Sequence, residues 1–122
     1  MYARFLRQSG YTPDVTSEGH VAFHIGDWTY IIRVDERNQQ SFELVLPGFA
    51  TISSEIDRAR ISAAANYATS TTSVAKIYIV RDSVWASTEL FVASPEDFAP
   101  LLTDCIAALA SGAKTFIGQV QR

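Results

Sequence analysis

The sequence predicts an α+β domain, an antiparallel sheet with helices packed on one face. Three observations carry that reading. Apolar residues alternate with period two around residues 20–34, 41–46 and 74–92. Helical spacing follows capping signals at Ser54 and at Ser94-Pro95-Glu96-Asp97. The strand pairs also separate into one apolar and one more polar face, which suits a sheet covered on a single side. The expected order is α-β-β-β-α-β-β-α, in one domain covering residues 1–122.

Residues 2–9 have helical spacing at Tyr2, Phe5, Leu6 and Ser9, with Gly10 as the stop. Tyr11-Thr12-Pro13-Asp14 turns into an extended segment. Residues 20–25 and 28–34 flank Gly26-Asp27, a hairpin turn. Counting outward pairs Ile25 with Trp28, Phe23 with Tyr30 and Val21 with Ile32 on an apolar face. His24 with Thr29, Ala22 with Ile31 and His20 with Arg33 form the other. After the polar loop 35–40, residues 41–46 form a strand with Phe42, Leu44 and Leu46 inward, ended by Pro47-Gly48.

Ser53 or Ser54 caps a helix to about Ser70, with Glu55 and Asp57 at its positive end. Ile56, Ala59, Ala63 and Tyr67 form one stripe, while Ala64, Ala65 and Ala68 permit close approach to a sheet or helix. Residues 74–92 read as a hairpin broken at Arg81-Asp82-Ser83. Its register sets Val80 against Trp85, Tyr78 against Ser87 and Lys76 against Glu89, an opposite-charge pair. Ala75, Ile77, Ile79, Ala86 and Leu90 then share the core face; Lys76, Tyr78, Val80, Trp85 and Glu89 share the other. Ser94 with Pro95 and Asp97 opens a last helix marked by Phe98, Leu101, Leu102, Cys105, Leu109 and Phe116. Gly112 is expected to weaken or end it, and residues 118–122 to fray.

Hydrophobic residues at 48% and charged residues at 19% exclude a disordered chain. A net charge of -3 speaks against non-specific nucleic-acid binding, and no nucleic-acid partner is expected. The lone Cys105 has no intrachain disulfide partner. The start, MYARFLRQSGY, lacks the apolar core of a signal peptide, and no apolar run is read as approaching the roughly 18–20 residues of a membrane span. A soluble cytoplasmic protein with no membrane partner is the expectation.

No constellation of nucleophile, base and orienting group can be assembled, so the chain is read as non-enzymatic, with no catalytic, cofactor or metal residues. His20 and His24 lie about 13 Å apart along one strand, too far to share an ion. Cys105 sits on an apolar stripe as a buried thiol. The acid pairs Glu55/Asp57 and Glu96/Asp97 are explained by helix capping. Tyr78, Val80 and Trp85 differ: they lie on the face opposite the helices, as do Ile31 and Arg33. Such a patch suggests contact with a second chain, unless the N-terminal segment covers it.

The stretches YTPDV, VLPGF, AAANYATSTTSVAKIYIV, VWASTELFV and SPEDFAPLL together resemble the YbjN-type family of small bacterial proteins. That family's fold is similar to that of class I type III secretion chaperones. The resemblance runs from Tyr11 to about Leu109. It implies a small acidic protein, loosely described as a sensory-transduction regulator, that pairs with itself and lacks catalytic residues; the chaperones bind an extended client segment. The expected function is therefore a homodimeric protein-interaction module, chaperone-like or regulatory, binding an extended polypeptide by strand addition or by apolar grooves beside the sheet, with Tyr78, Val80, Trp85, Ile31 and Arg33 as contact residues. The alternative is a regulatory domain holding a small molecule in a pocket lined by Phe23, Tyr30 and Leu101.

Overall fold

The computed structural model describes residues 1–121. Helix α1 (Tyr2–Gln8) leads into β1 (Asp14–Val15), β2 (Val21–Ile25), β3 (Trp28–Arg33) and β4 (Ser41–Thr51). Helix α2 (Glu55–Thr71) follows, then β5 (Lys76–Val80), β6 (Ser83–Phe91), a 3-10 turn (Pro95–Leu101) and α3 (Leu102–Val120). The strands form one antiparallel sheet in the order β1-β2-β3-β4-β6-β5. The α+β class and expected order hold, with the two-residue β1 added at one edge.

Local chemistry sets each boundary. Gly10, at φ 94, ends α1 in a Schellman arrangement: Tyr11 N–H donates to Leu6 C=O at 2.9 Å and Gly10 N–H to Arg7 C=O at 3.1 Å. The β2–β3 hairpin pairs Ile25 with Trp28, Phe23 with Tyr30 and Val21 with Ile32, as expected from the Gly26-Asp27 turn. Ser54 caps α2 by accepting from Asp57 N–H, and Ser94 and Asp97 close a reciprocal capping box. That box opens a 3-10 turn rather than an α-helix, with Pro100 inside it.

Four expectations are corrected. Pro47-Gly48 does not end β4: the strand continues to Thr51 through an irregularity between Leu46 and Ala50, where Gly48 takes φ 55. Gly112 does not end α3, which runs on to Val120. It lies buried where the helix crosses the sheet, and a Cβ there would stand 3.0 Å from Ile77 Cδ1 and 3.3 Å from Ala75 Cβ. Of the expected fray at residues 118–122, the part through Val120 is helical, with Arg60 donating to the Val120 carbonyl. Residue 122 lies outside the described residues. Finally, the Ile56–Ala59–Ala63–Tyr67 stripe of α2 faces solvent, and Ile61, Ala64, Ala65 and Ala68 are the buried side. Small residues let α2 pack closely against α3 and β5, which leaves the larger ones outside.

The core lies between the sheet and the helices. Phe23, Tyr30, Phe42, Leu44, Leu46, Val84 and Ala86 meet Phe98, Leu102, Cys105, Leu109 and Phe116. Helix α1 closes one end, with Tyr2 and Phe5 packed edge-on against Phe98 at 4.6 and 5.1 Å. The stretch Pro95–Val120 is long and apolar enough, by length and composition alone, to cross a bilayer, contrary to the sequence reading. One side of it is buried in this core.

Candidate protein-interaction surface

The β5–β6 hairpin builds the surface, and its register differs from the expected one by two residues. Val80 pairs with Ser83, Tyr78 with Trp85, Ile77 with Ala86 and Lys76 with Ser87. The turn is the two residues Arg81-Asp82, with Arg81 at φ 57. The turn is fixed from outside: Arg58 of α2 donates to the Arg81 carbonyl at 2.9 Å and to Asp82 Oδ1 at 2.7 Å. Ile52 N–H adds a bond to the Asp82 carbonyl at 2.8 Å. These contacts compensate for the missing glycine. A shift of two leaves each side chain on its expected face but changes its partner. The Lys76–Glu89 pair does not form; Glu89 instead stands opposite Glu43.

The five sequence-predicted residues come together on the sheet face opposite the helices. Tyr78 and Trp85 are direct cross-strand partners, and Val80 lies one step along, opposite Ser83. Trp85 donates its indole N–H to Ser83 Oγ at 2.9 Å, and Ser83 Oγ donates to the Val80 carbonyl at 3.1 Å. The Arg33 guanidinium reaches across β4 to within 6.0 Å of the Trp85 ring centre, a cation–π contact. Ile31 pairs with Val45, which is itself buried on this face. The aromatic and aliphatic members of the patch are half-buried rather than widely exposed, because they lie against one another.

The N-terminal segment does not cover them; α1 packs on Phe42 and Phe98, on the helix side. What the sequence reading missed is Phe91, which is 89% exposed. Alternation from Trp85 through Ser87 and Glu89 puts it on this same face. Extending the alternation by one further step, two residues beyond Glu89, would have found it.

Both sheet edges are protected. Thr69 of α2 accepts from Ile77 N–H at 2.9 Å and donates to Ile77 C=O at 3.2 Å, occupying the outward backbone groups of edge strand β5. At the other edge β1 is only two residues long and follows the buried Pro13. Strand addition along β5 is thereby opposed at Ile77. A shallow groove of about 340 Å³ remains between α2 and β5, lined by Ser62, Asn66, Thr69 and Ile79 among others.

The remaining candidates have local roles. His20 Nδ1 accepts from Val34 N–H at 3.0 Å, and His24 Nδ1 bonds Thr29 Oγ1 at 2.9 Å, so each braces the β2–β3 hairpin. Among the described residues no three His, Cys, Asp or Glu side chains group closely enough for a metal. Burial, with a smaller contribution from Asp104, pushes the Cys105 thiol above its ordinary pKa. Phe23 stacks on Tyr30 at 5.7 Å, and both are buried. Leu101, the third residue expected around a pocket, is half-buried and packs against the same core.

Compared with family models and with curated proteins, the chain matches none.

Proposed function

We propose that the chain is a non-enzymatic protein-interaction module, chaperone-like or regulatory, that docks an extended polypeptide on the open sheet face. One observation carries this reading: Tyr78, Trp85, Val80, Ile31 and Arg33 form one continuous patch that no helix of the chain covers. Uncovered sheet faces of this kind, with aromatic and arginine residues at the centre, suit partner contact. Because the β5 edge is held by Thr69, docking through side chains on the face is favoured over strand addition. The YbjN-like and secretion-chaperone-like resemblance supports the same reading, including a cytoplasmic setting.

Homodimerisation belongs to this proposal and is placed on the outer stripe of α2. Ile56 is 88% exposed there, and Ala59 and Ala63 leave room opposite Tyr67 of an antiparallel second copy. Pairing on the helix side leaves the sheet face free for a client. Sedimentation of the wild type and of Tyr67→Lys checks this part: a dimer that becomes a folded monomer is expected.

The chain's two lysines make the client surface testable, since Lys76 lies on the open face and Lys114 on the exposed side of α3. In the native host, amine cross-links to other polypeptides should form at Lys76 and disappear in Trp85→Ala. Cross-links concentrated at Lys114, or unaffected by that substitution, would contradict the proposal.

A further inference from the structure

The open face contains one arrangement that weakens the sheet. Glu43 and Glu89 stand directly opposite each other on β4 and β6. Directly opposed like charges destabilise a strand pair. Arg33 relieves only one of them: its Nη1 lies 3.9 Å from Glu43 Oε1 while its guanidinium is also drawn over Trp85. Among the described residues no cation lies within ion-pair distance of Glu89. Lys76, which a register two residues away would have supplied, faces Ser87 instead.

Apolar anchors flank this carboxylate along β6. Trp85 lies four residues before it, about 13 Å away, and Phe91 two residues beyond, about 7 Å away. A local choice that costs stability, set between aromatics on a face no helix covers, is the pattern expected where binding rather than folding dictates the residue.

We infer that the occupant of the open face is a basic, apolar segment of a partner polypeptide, which places a lysine or arginine against Glu43 and Glu89 and apolar side chains against Trp85 and Phe91. The inference rests on the open face being the docking surface, and it adds the chemistry of what docks. Charge complementarity selects a basic occupant, since the Glu89 carboxylate has no cation within ion-pair distance among the described residues; a second copy bringing its own Arg33 or Lys76 there is an outcome of the test.

The test uses the full chain and a short, capped, fluorescein-labelled peptide alternating lysine with valine. Fluorescence anisotropy should show salt-dependent binding that Glu89→Lys weakens about tenfold or more. The same substitution should raise the melting temperature by about 1–4 °C, because it converts a repulsive pair into an attractive one. Glu18→Lys makes the same change in net charge in the β1–β2 loop and should alter affinity by less than about twofold. Equal binding by Glu89→Lys, a lowered melting temperature, or an equal loss in Glu18→Lys overturns the inference. So does a wild-type dimer that Glu89→Lys weakens in the absence of peptide, for then the occupant is a second copy. If Trp85→Ala abolishes peptide binding and Glu89→Lys does not, the docking surface stands and only this inference falls. If neither weakens binding, both fall.

Discussion

The Thr69 hydroxyl takes the place of a neighbouring strand for Ile77, accepting from its N–H at 2.9 Å and donating to its C=O at 3.2 Å. One side chain thus closes the edge of β5 at its second residue, and α2 is fastened there. Arg58, on the same helix, holds the hairpin turn beyond it. The strand that presents Tyr78 is therefore positioned from α2 at both ends.

Thr69→Val keeps the shape and removes both bonds. It is expected to cost about 1–3 kcal/mol, since two backbone groups of Ile77 lose their partner. Urea unfolding should show a lower midpoint at unchanged slope, with faster hydrogen exchange at the Ile77 amide. Thr69→Ser should retain most of the stability.

Gly112 sets how closely α3 approaches β5. Gly112→Ala gains up to about 1 kcal/mol of helix propensity but presses on Ile77 Cδ1, 3.0 Å from the new atom and the movable end of its side chain. The net change in thermal stability is expected to stay within about 1 kcal/mol. Gly112→Val adds atoms that also meet Ala75, and a loss of about 2 kcal/mol or more is expected. Ile77→Val in the same chain should recover part of it, a coupling that a double-mutant cycle measures.

Thr88 is fully buried opposite Leu44, and its hydroxyl has no hydrogen-bond partner among the described residues. Thr88→Val preserves the branched shape and removes the unpaired group. A gain of about 0.5–1.5 kcal/mol in calorimetric stability is expected. A loss would mean that the hydroxyl is bonded in solution.

Cys105 gives a pH dependence with a definite sign. Burial raises its thiol pKa above the ordinary 9.0, so above that pH the unfolded chain has lost a proton that the folded chain still holds. Stability should therefore be unaffected well below pH 9 and fall as pH rises past it. The wild-type urea midpoint should drop more steeply from pH 8 to 10 than that of Cys105→Ala. The native thiol should also react slowly with a disulfide reagent at pH 8 and fast once unfolded.

The α+β class, the helix caps and the β2–β3 register were legible because each depends on neighbouring residues and a strict period. Gly26-Asp27 fixes its hairpin register locally, and the five pairs follow by counting. The β5–β6 hairpin was legible only as to its faces. Its turn is held by Arg58 and Ile52, distant in sequence, so no local signal chose between registers two residues apart. The buried side of α2 was ambiguous for a similar reason, because close packing against α3 and β5 favours alanines over the larger stripe. The patch itself was visible as alternating aromatics, but the Glu43–Glu89 opposition depended on the register and was not.

The central claim is that Trp85 is retained for contact rather than for the core. Urea unfolding of Trp85→Ala tests it most directly, with Phe98→Ala as the buried reference. A folded variant losing less than about 2 kcal/mol is expected, since the ring lies half-buried on an open face. A loss of about 3–5 kcal/mol, equal to that of Phe98→Ala, would place Trp85 in the core and contradict the account.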